Sequence, residues 1–221
     1  RKSSGPERAP AEKFGDRCTC DPFSFCATDR DDDEPDDAIE SDIVTNGIVM
    51  FDYATKWIDV FPKASKSTAH TIEAFTEWCG PKETVKELYT DNAPSLAEAA
   101  RAKEWSMPTS TPGDAANNGT AERKVREVKD GGRALLFQSG LDPAKWRDKA
   151  SKAWCIGRNL RPDEEDCKDS YTRRHNVPFH GSIIPFGALV TYMPQSVTAD
   201  EKDSFEPTRV PGIFIGWHMH P

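Results

Sequence analysis

Apolar positions along this chain come in short blocks whose period changes. Gly47-Ile48-Val49-Met50-Phe51-Asp52 is a nearly continuous apolar run of strand length, the pattern of a buried strand. After an Ala54-Thr55-Lys56 turn, Trp57-Ile58-Asp59-Val60-Phe61 alternates as a half-buried strand until Pro62 stops it. Ser67 then caps a helix in which Ala69, Ile72, Phe75 and Cys79 recur at helical spacing, and Gly80-Pro81 ends it. Residues 85–90 are strand-like and stop at Asp91, and Pro94 opens an alanine-rich helix running to Lys103. Residues 106–119 hold two Pro and two Gly among Ser, Thr and Asn, the composition of a loop.

Asn118 caps the next helix, which starts near Gly119 and buries Val125, Val128, Leu135 and Leu136. Gly131-Gly132 falls inside it. Each Gly costs ~1 kcal/mol relative to Ala, so a kink or break is expected there. Residues 141–160 form another amphipathic helix with Trp146, Ala150, Trp154 and Ile156 on one face. At the front of the chain, residues 17–26 mix Cys, Thr and Phe as a strand with Asp21 inside it. Towards the end, residues 161–182 read as a polar, irregular linker. Residues 188–193 and 212–217 are short strands around a polar stretch, which predicts a small β module. Strands first, then alternating helix and strand, then helices fit a mixed sheet covered by helices.

Composition changes this picture in three places. With 221 residues, 36% of them hydrophobic, and a mean hydropathy of −0.70, the chain suffices for one medium domain plus a small one, with long exposed segments. No apolar run approaches the ~18 residues of a membrane helix, and the polar, basic stretch 1–15 is no secretory signal. Lacking an initiator Met and ending at His218-Met219-His220-Pro221, the chain is expected to be a piece of a longer polypeptide. The six cysteines (18, 20, 26, 79, 155, 167) are irregularly spaced, and the first histidine is His70, so packed reduced thiols are expected rather than disulfides or zinc ligands.

The net charge of −8 opposes nucleic-acid binding until its distribution is read. Of 37 acidic and 29 basic residues, nine acids and one base fall within 29–42, so the rest of the chain holds 28 of each. The acidic run lacks the D-x-D-x-D-G calcium pattern and reads as a solvated loop. Outside it the basic residues cluster locally.

Candidate chemistry gathers at two element boundaries. Asp91 stands where an apolar strand ends, the edge at which open α/β sheets bind ligands. Glu122 stands where a helix begins, and the helix dipole favours an ionised carboxylate in the first turn. Two such carboxylates suit a hard divalent ion such as Mg²⁺. Arg123, Lys124, Arg126 and Lys129 crowd Glu122. Arg126 and Lys129, at i+4 and i+7, share its helical face, where a phosphate backbone would pass. On residue types alone an alternative stands, in which Asp91 is a helix cap and Glu122, Arg126 and Lys129 are an ordinary solvated face. His218-Met219-His220 reads as a frayed tail, His70 as a surface residue, and Arg173-Arg174-His175 as exposed linker charge.

Thr90-Asp91-Asn92-Ala93 and Asn118-Gly119-Thr120-Ala121-Glu122-Arg123 resemble the catalytic segments of retroviral-type integrases, most closely those of copia-type retrotransposons. Ser110-Thr111-Pro112-Gly113 is similar to the family's entry into its flexible catalytic loop. Ile184-Pro185-Phe186-Gly187, Phe205-Glu206-Pro207 and Gly212-Ile213-Phe214-Ile215-Gly216-Trp217 resemble the SH3-like module downstream of such cores. The resemblance implies an RNase H-like core over 16–160, a mixed five-stranded α/β sheet flanked by helices with the acidic insert 29–42. A linker at 161–182 and a truncated SH3-like module at 183–221 would follow.

It further implies an Asp-Asp-Glu triad holding two Mg²⁺ or Mn²⁺ ions and cutting and joining double-stranded DNA, both element ends and target, by transesterification. The triad would be Asp21, Asp91 and Glu122, with Asp52 on the next strand as the rival first carboxylate. DNA contact would fall to Asn118, Arg123, Lys124, Arg126 and Lys129. A homo-oligomer acting in the nucleus, with no membrane role, is likewise implied. Three departures bear on activity: a short Asp91–Glu122 spacing, the acidic insert, and no His-His-Cys-Cys zinc module. Two other readings stay open, a non-catalytic DNA-binding or assembly module and an RNase H-type nuclease.

Overall fold

The computed structural model describes residues 10–25, 46–91, 93–108, 118–164, 166–193 and 209–217. The acidic run 29–42, Cys26, Asn92, residues 110–113 and 205–207 and the terminal His218-Met219-His220 lie outside the described residues.

Four strands make one mixed sheet in the order β3-β2-β1-β4: β1 (Arg17–Ser24), β2 (Asn46–Asp52), β3 (Ile58–Lys63) and β4 (Glu87–Tyr89). β1 pairs antiparallel with β2, and β2 with β3, while β4 lies parallel to β1 over Arg17–Thr19 only. A fifth strand was expected. Its place beyond β4 is held by a single parallel bridge, in which Ser106 N–H donates to the Lys86 carbonyl at 3.1 Å and Leu88 N–H to the Ser106 carbonyl at 2.8 Å.

The strands are apolar on both faces because both are covered. Cys18, Cys20, Ile48, Met50 and Phe61 pack on one face against α1 (Thr68–Cys79) and α2 (Pro94–Ala102), with Phe75 stacked on Trp105 at 4.6 Å between ring centroids. Phe23, Val49, Phe51, Ile58 and Val60 pack on the other face, against Val128 of α3 (Asn118–Ser139) and Cys155 of α4 (Pro143–Asn159). Among the described residues no helix is long and apolar enough to cross a membrane. The described cysteines are free thiols, and burial pushes the Cys20 and Cys79 thiols up to about 12, which makes them inert packing groups.

Local signals explain most boundaries. The Ser67 side chain accepts from His70 N–H, and the Gly80 N–H, at φ 62°, closes the far end of α1 on the Thr76 carbonyl. Asp142 caps α4 ahead of Pro143. The expected break at Gly131-Gly132 is absent, for α3 runs unbroken through both. Tertiary packing is the reason: a Cβ on Gly131 would lie 2.0 Å from Trp154 Nε1, and one on Gly132 2.8 Å from Ser151 Oγ. The glycines let α4 approach α3 closely, and that contact outweighs their weak helix propensity.

The stretch expected to be an irregular linker carries α5 (Ser170–His175), capped by Asp169. Its Arg174 side chain is only 4% exposed, against the expectation of exposed charge. The guanidinium donates to the Trp78 carbonyl at 2.8 Å and to Glu83 at 3.1 Å, and covers the rings of Phe14, Trp57 and Trp78. Desolvation of the cation is thus offset by ion pairing and aromatic faces. Beyond α5, β5 (Leu189–Tyr192) and β6 (Val210–Ile213) pair as an antiparallel hairpin, anchored by Phe186 against Leu136 and Ala150.

Candidate active site

β4 parts from β1 after Thr19 and Tyr89, and the site lies where the two strands diverge. Side chains of β1 alternate: Cys18 and Cys20 enter the core under α1, while Phe23 enters the core under α3. Asp21, two residues before Phe23, therefore faces the α3 side, opposite Val49 of β2. Thr90 Oγ1 donates to the Cys20 carbonyl at 2.9 Å and ties the departing end of β4 to β1. Asp91 follows at once and is exposed.

Asp91 is not the cap of α2. The N-cap is Ala93, with no side-chain cap bond, and the Ala93 N–H reaches Asp91 Oδ1 only at a long 3.4 Å. Glu122 is exposed on α3, but at the start of its second turn rather than in the first, which contains no acid. The helix-dipole support expected for it is correspondingly reduced.

The electrostatics connect the three carboxylates. The Asp21 carboxyl is raised from 3.8 to about 6, first by burial and then by the negative charges of Asp91 and Glu122, with Lys129 and Lys66 opposing. Asp91, at the end of β4, and Glu122, on α3, thus both act on Asp21 of β1. Asp52 does not share this environment. It is buried at the other end of the sheet and fully engaged: its carboxylate accepts from Thr55 N–H and Thr55 Oγ1 at 2.7 Å, from Gly15 N–H at 3.0 Å and from Cys18 Sγ at 3.4 Å.

Of the basic residues expected around Glu122, Lys129 acts on Asp21, with its ammonium 4.9 Å from the centroid of the Phe23 ring. Arg126 is exposed on the same helical face. Two others are turned elsewhere. Arg123 folds back on its own helix, donating to the Gly119 carbonyl at 2.9 Å and to Thr120 Oγ1 at 3.2 Å. Lys124 pairs with Glu127 at 2.6 Å and lies over the Phe51 ring. Asn118 opens α3, and its side chain lies outside the described residues. Lys66, between β3 and α1, was not foreseen, since a lysine between two serines in a turn has no periodic signal.

The donor set suits a hard cation: carboxylate oxygens only, partly desolvated and mutually repelling. Among the described residues no three His, Cys, Asp or Glu side chains converge closely enough to enclose an ion by themselves.

No protein-family model matches the chain, and no curated protein matches it. Solved structures do. The HTLV-2 integrase catalytic core domain, solved in complex with magnesium, aligns with 74% of this chain and 98% of its own at a TM-score of 0.53 and 15% identity. A chain of the simian T-cell lymphotropic virus intasome, solved with the PP2A regulatory subunit B56 gamma, covers 94% of this chain and 70% of its own at 0.59 and 13%. The catalytic core domain of BIV integrase covers 71% and 91% at 0.50 and 14%. The mixed sheet and its flanking helices are therefore the RNase H-like fold of retroviral integrase catalytic cores.

Proposed function

We propose that this chain is the catalytic core of a DNA-joining enzyme. It would process 3′ ends and transfer them into double-stranded target DNA, as in a copia-type retrotransposon integrase. One observation carries this reading: two carboxylates from separate elements, Asp91 and Glu122, act on a partly buried Asp21 at the diverging strand edge, beside exposed cations. The fold shared with integrase cores supports it.

Asp21, Asp91 and Glu122 would hold Mg²⁺ or Mn²⁺, two ions when DNA is bound. Ions held there supply Lewis acidity for an attacking and a leaving oxygen. The chain's residues do the rest. The Thr90 bond to β1 fixes the backbone from which Asp91 projects. Arg126 and Lys129 hold the phosphate strand along α3, and Arg123 and Lys124 contribute less because they are already engaged. A homo-oligomer acting in the nucleus accompanies this reading.

The test is a strand-transfer assay with Mg²⁺ or Mn²⁺ on the purified chain. Glu122→Gln removes one donor and should cut product formation about 100-fold or more. Product that survives this change sinks the reading, and cleavage of RNA–DNA hybrids without joining would redirect it to a nuclease. The openness of the carboxylates favours one rival, a non-catalytic DNA-binding module. Calorimetry separates the two: saturable Mn²⁺ binding abolished by Asp91→Asn supports the enzyme, and its absence supports the module.

A further inference from the structure

Beyond Glu122, exposed residues of α3 recur on one flank of the helix. Arg126, Lys129, Arg133 and Phe137 follow it at i+4, i+7, i+11 and i+15, and all five are exposed. At 1.5 Å per residue, Arg133 stands about 16 Å and Phe137 about 22 Å from Glu122 along the axis. Packing fixes which flank this is. α4 is met by another: Trp154 and Ser151 close on Gly131 and Gly132, and Ala150 packs with Leu136. The flank of Lys129 faces β1 instead, with its ammonium 4.9 Å from the Phe23 ring centroid. The row therefore starts at the candidate site and leads away from it, clear of α4.

The row is first cationic and then aromatic. Asp130, the acid beside it, pairs with Arg133 at 2.8 Å, but the two side chains are 58% and 76% exposed. Such a pair is worth little in water and yields readily to a stronger anion. Phe137 is 92% exposed, more than any other large apolar side chain among the described residues. The segment entering β5 does not cover it: Phe186 packs with Leu136, and Gly187 lies against Ser139.

We propose that Arg133 and Phe137 extend the DNA-binding surface past the site, Arg133 holding a phosphate and Phe137 stacking on an unpaired base. This rests on the reading of the site as one that acts on DNA. Complementary charge selects the ligand. The three cations ahead of Phe137 suit a polyanion, and about 22 Å is the rise of about six base pairs. An apolar protein surface would also cover the ring, but it would leave the cations beside it without anions. Stacking needs a base with an open face. Inside a duplex both faces are covered, so the ring takes a base at a single-stranded or frayed end.

The experiment measures binding by fluorescence anisotropy from about 50 to 300 mM salt, on a blunt DNA duplex and on the same duplex with a single-stranded overhang. The proteins are wild type, Arg133→Ala, Phe137→Ala, Phe137→Leu, Phe137→Trp, the double variant Arg126→Ala/Lys129→Ala, and Gln138→Ala on the other exposed flank. Wild type should prefer the overhang about fivefold or more. Phe137→Ala and Phe137→Leu should lose that preference with the salt slope unchanged, because stacking releases no counterions, and Phe137→Trp should keep it. Arg133→Ala should lower the slope of log K against log salt by about one on both DNAs, and Gln138→Ala should change neither quantity. Equal affinity of the wild type for the two DNAs, or a wild-type preference in Phe137→Leu, overturns the stacking role. A wild-type slope in Arg133→Ala overturns its phosphate contact. In each case a reduced slope in the double variant leaves the site reading intact, and no change of slope there overturns both.

Discussion

Asp21 shows most directly how a carboxylate at the strand edge costs the fold something. Its carboxyl is raised from 3.8 to about 6, so between about pH 4 and 6 the folded chain holds the proton more tightly than the unfolded chain. Stability therefore falls as pH rises through that window and stays reduced above it. At full strength such a shift is worth about 3 kcal/mol, and screening at an edge partly open to water lowers that to about 1–2 kcal/mol. Asp21→Asn should then stabilise the metal-free chain by about that amount at pH 7.5 and leave it unchanged at pH 4, as read from urea unfolding midpoints. An equal gain at both values would show that the cost of ionising Asp21, from its burial and from repulsion by Asp91 and Glu122, is not the cause. Asp52 is the contrast, since its four donors satisfy it and Asp52→Asn should destabilise the fold throughout.

Elements were legible where one pattern dominated. The apolar runs of β2 and β3 and the spaced apolar face of α1 are local signals, and they fold as they read. The positions of Asp91 just past β4 and of Glu122 near the start of α3 were legible too, because each follows a boundary signal. What escaped depends on partners distant in sequence. The continuity of α3 rests on Trp154 and Ser151 of α4, and the burial of Arg174 on rings at positions 14, 57 and 78.

The same substitution at two glycines of α3 measures this. Gly119→Ala meets open space and should stabilise by up to about 1 kcal/mol through reduced unfolded-state freedom. Gly131→Ala gains the same propensity but drives its methyl into the Trp154 ring, where overpacking costs about 1–3 kcal/mol. Its melting temperature should fall while that of Gly119→Ala rises. A rise for both would mean that the close approach of α3 and α4 does not decide the helix.

At the scale of the whole molecule, the proposed action on DNA depends on how charge is distributed. The chain is acidic, yet without residues 29–42 its charges balance. That segment leaves the sheet after Ser24 and returns before Asn46, the paired residues at the same sheet end as Asp21. On the proposed function, nine carboxylates tethered between these two residues would repel a phosphate backbone, most strongly at low salt, where the Debye length is longest. Replacing 29–42 with a neutral Gly/Ser segment of equal length should raise affinity for duplex DNA and steepen its salt dependence, since cations no longer screened by acid release more counterions from DNA. The gain should be largest near 50 mM salt and shrink towards 300 mM. If affinity is unchanged at every salt concentration, the acidic run does not act on the DNA path, and the balance of the remaining 28 acids and 28 bases alone sets how DNA is met.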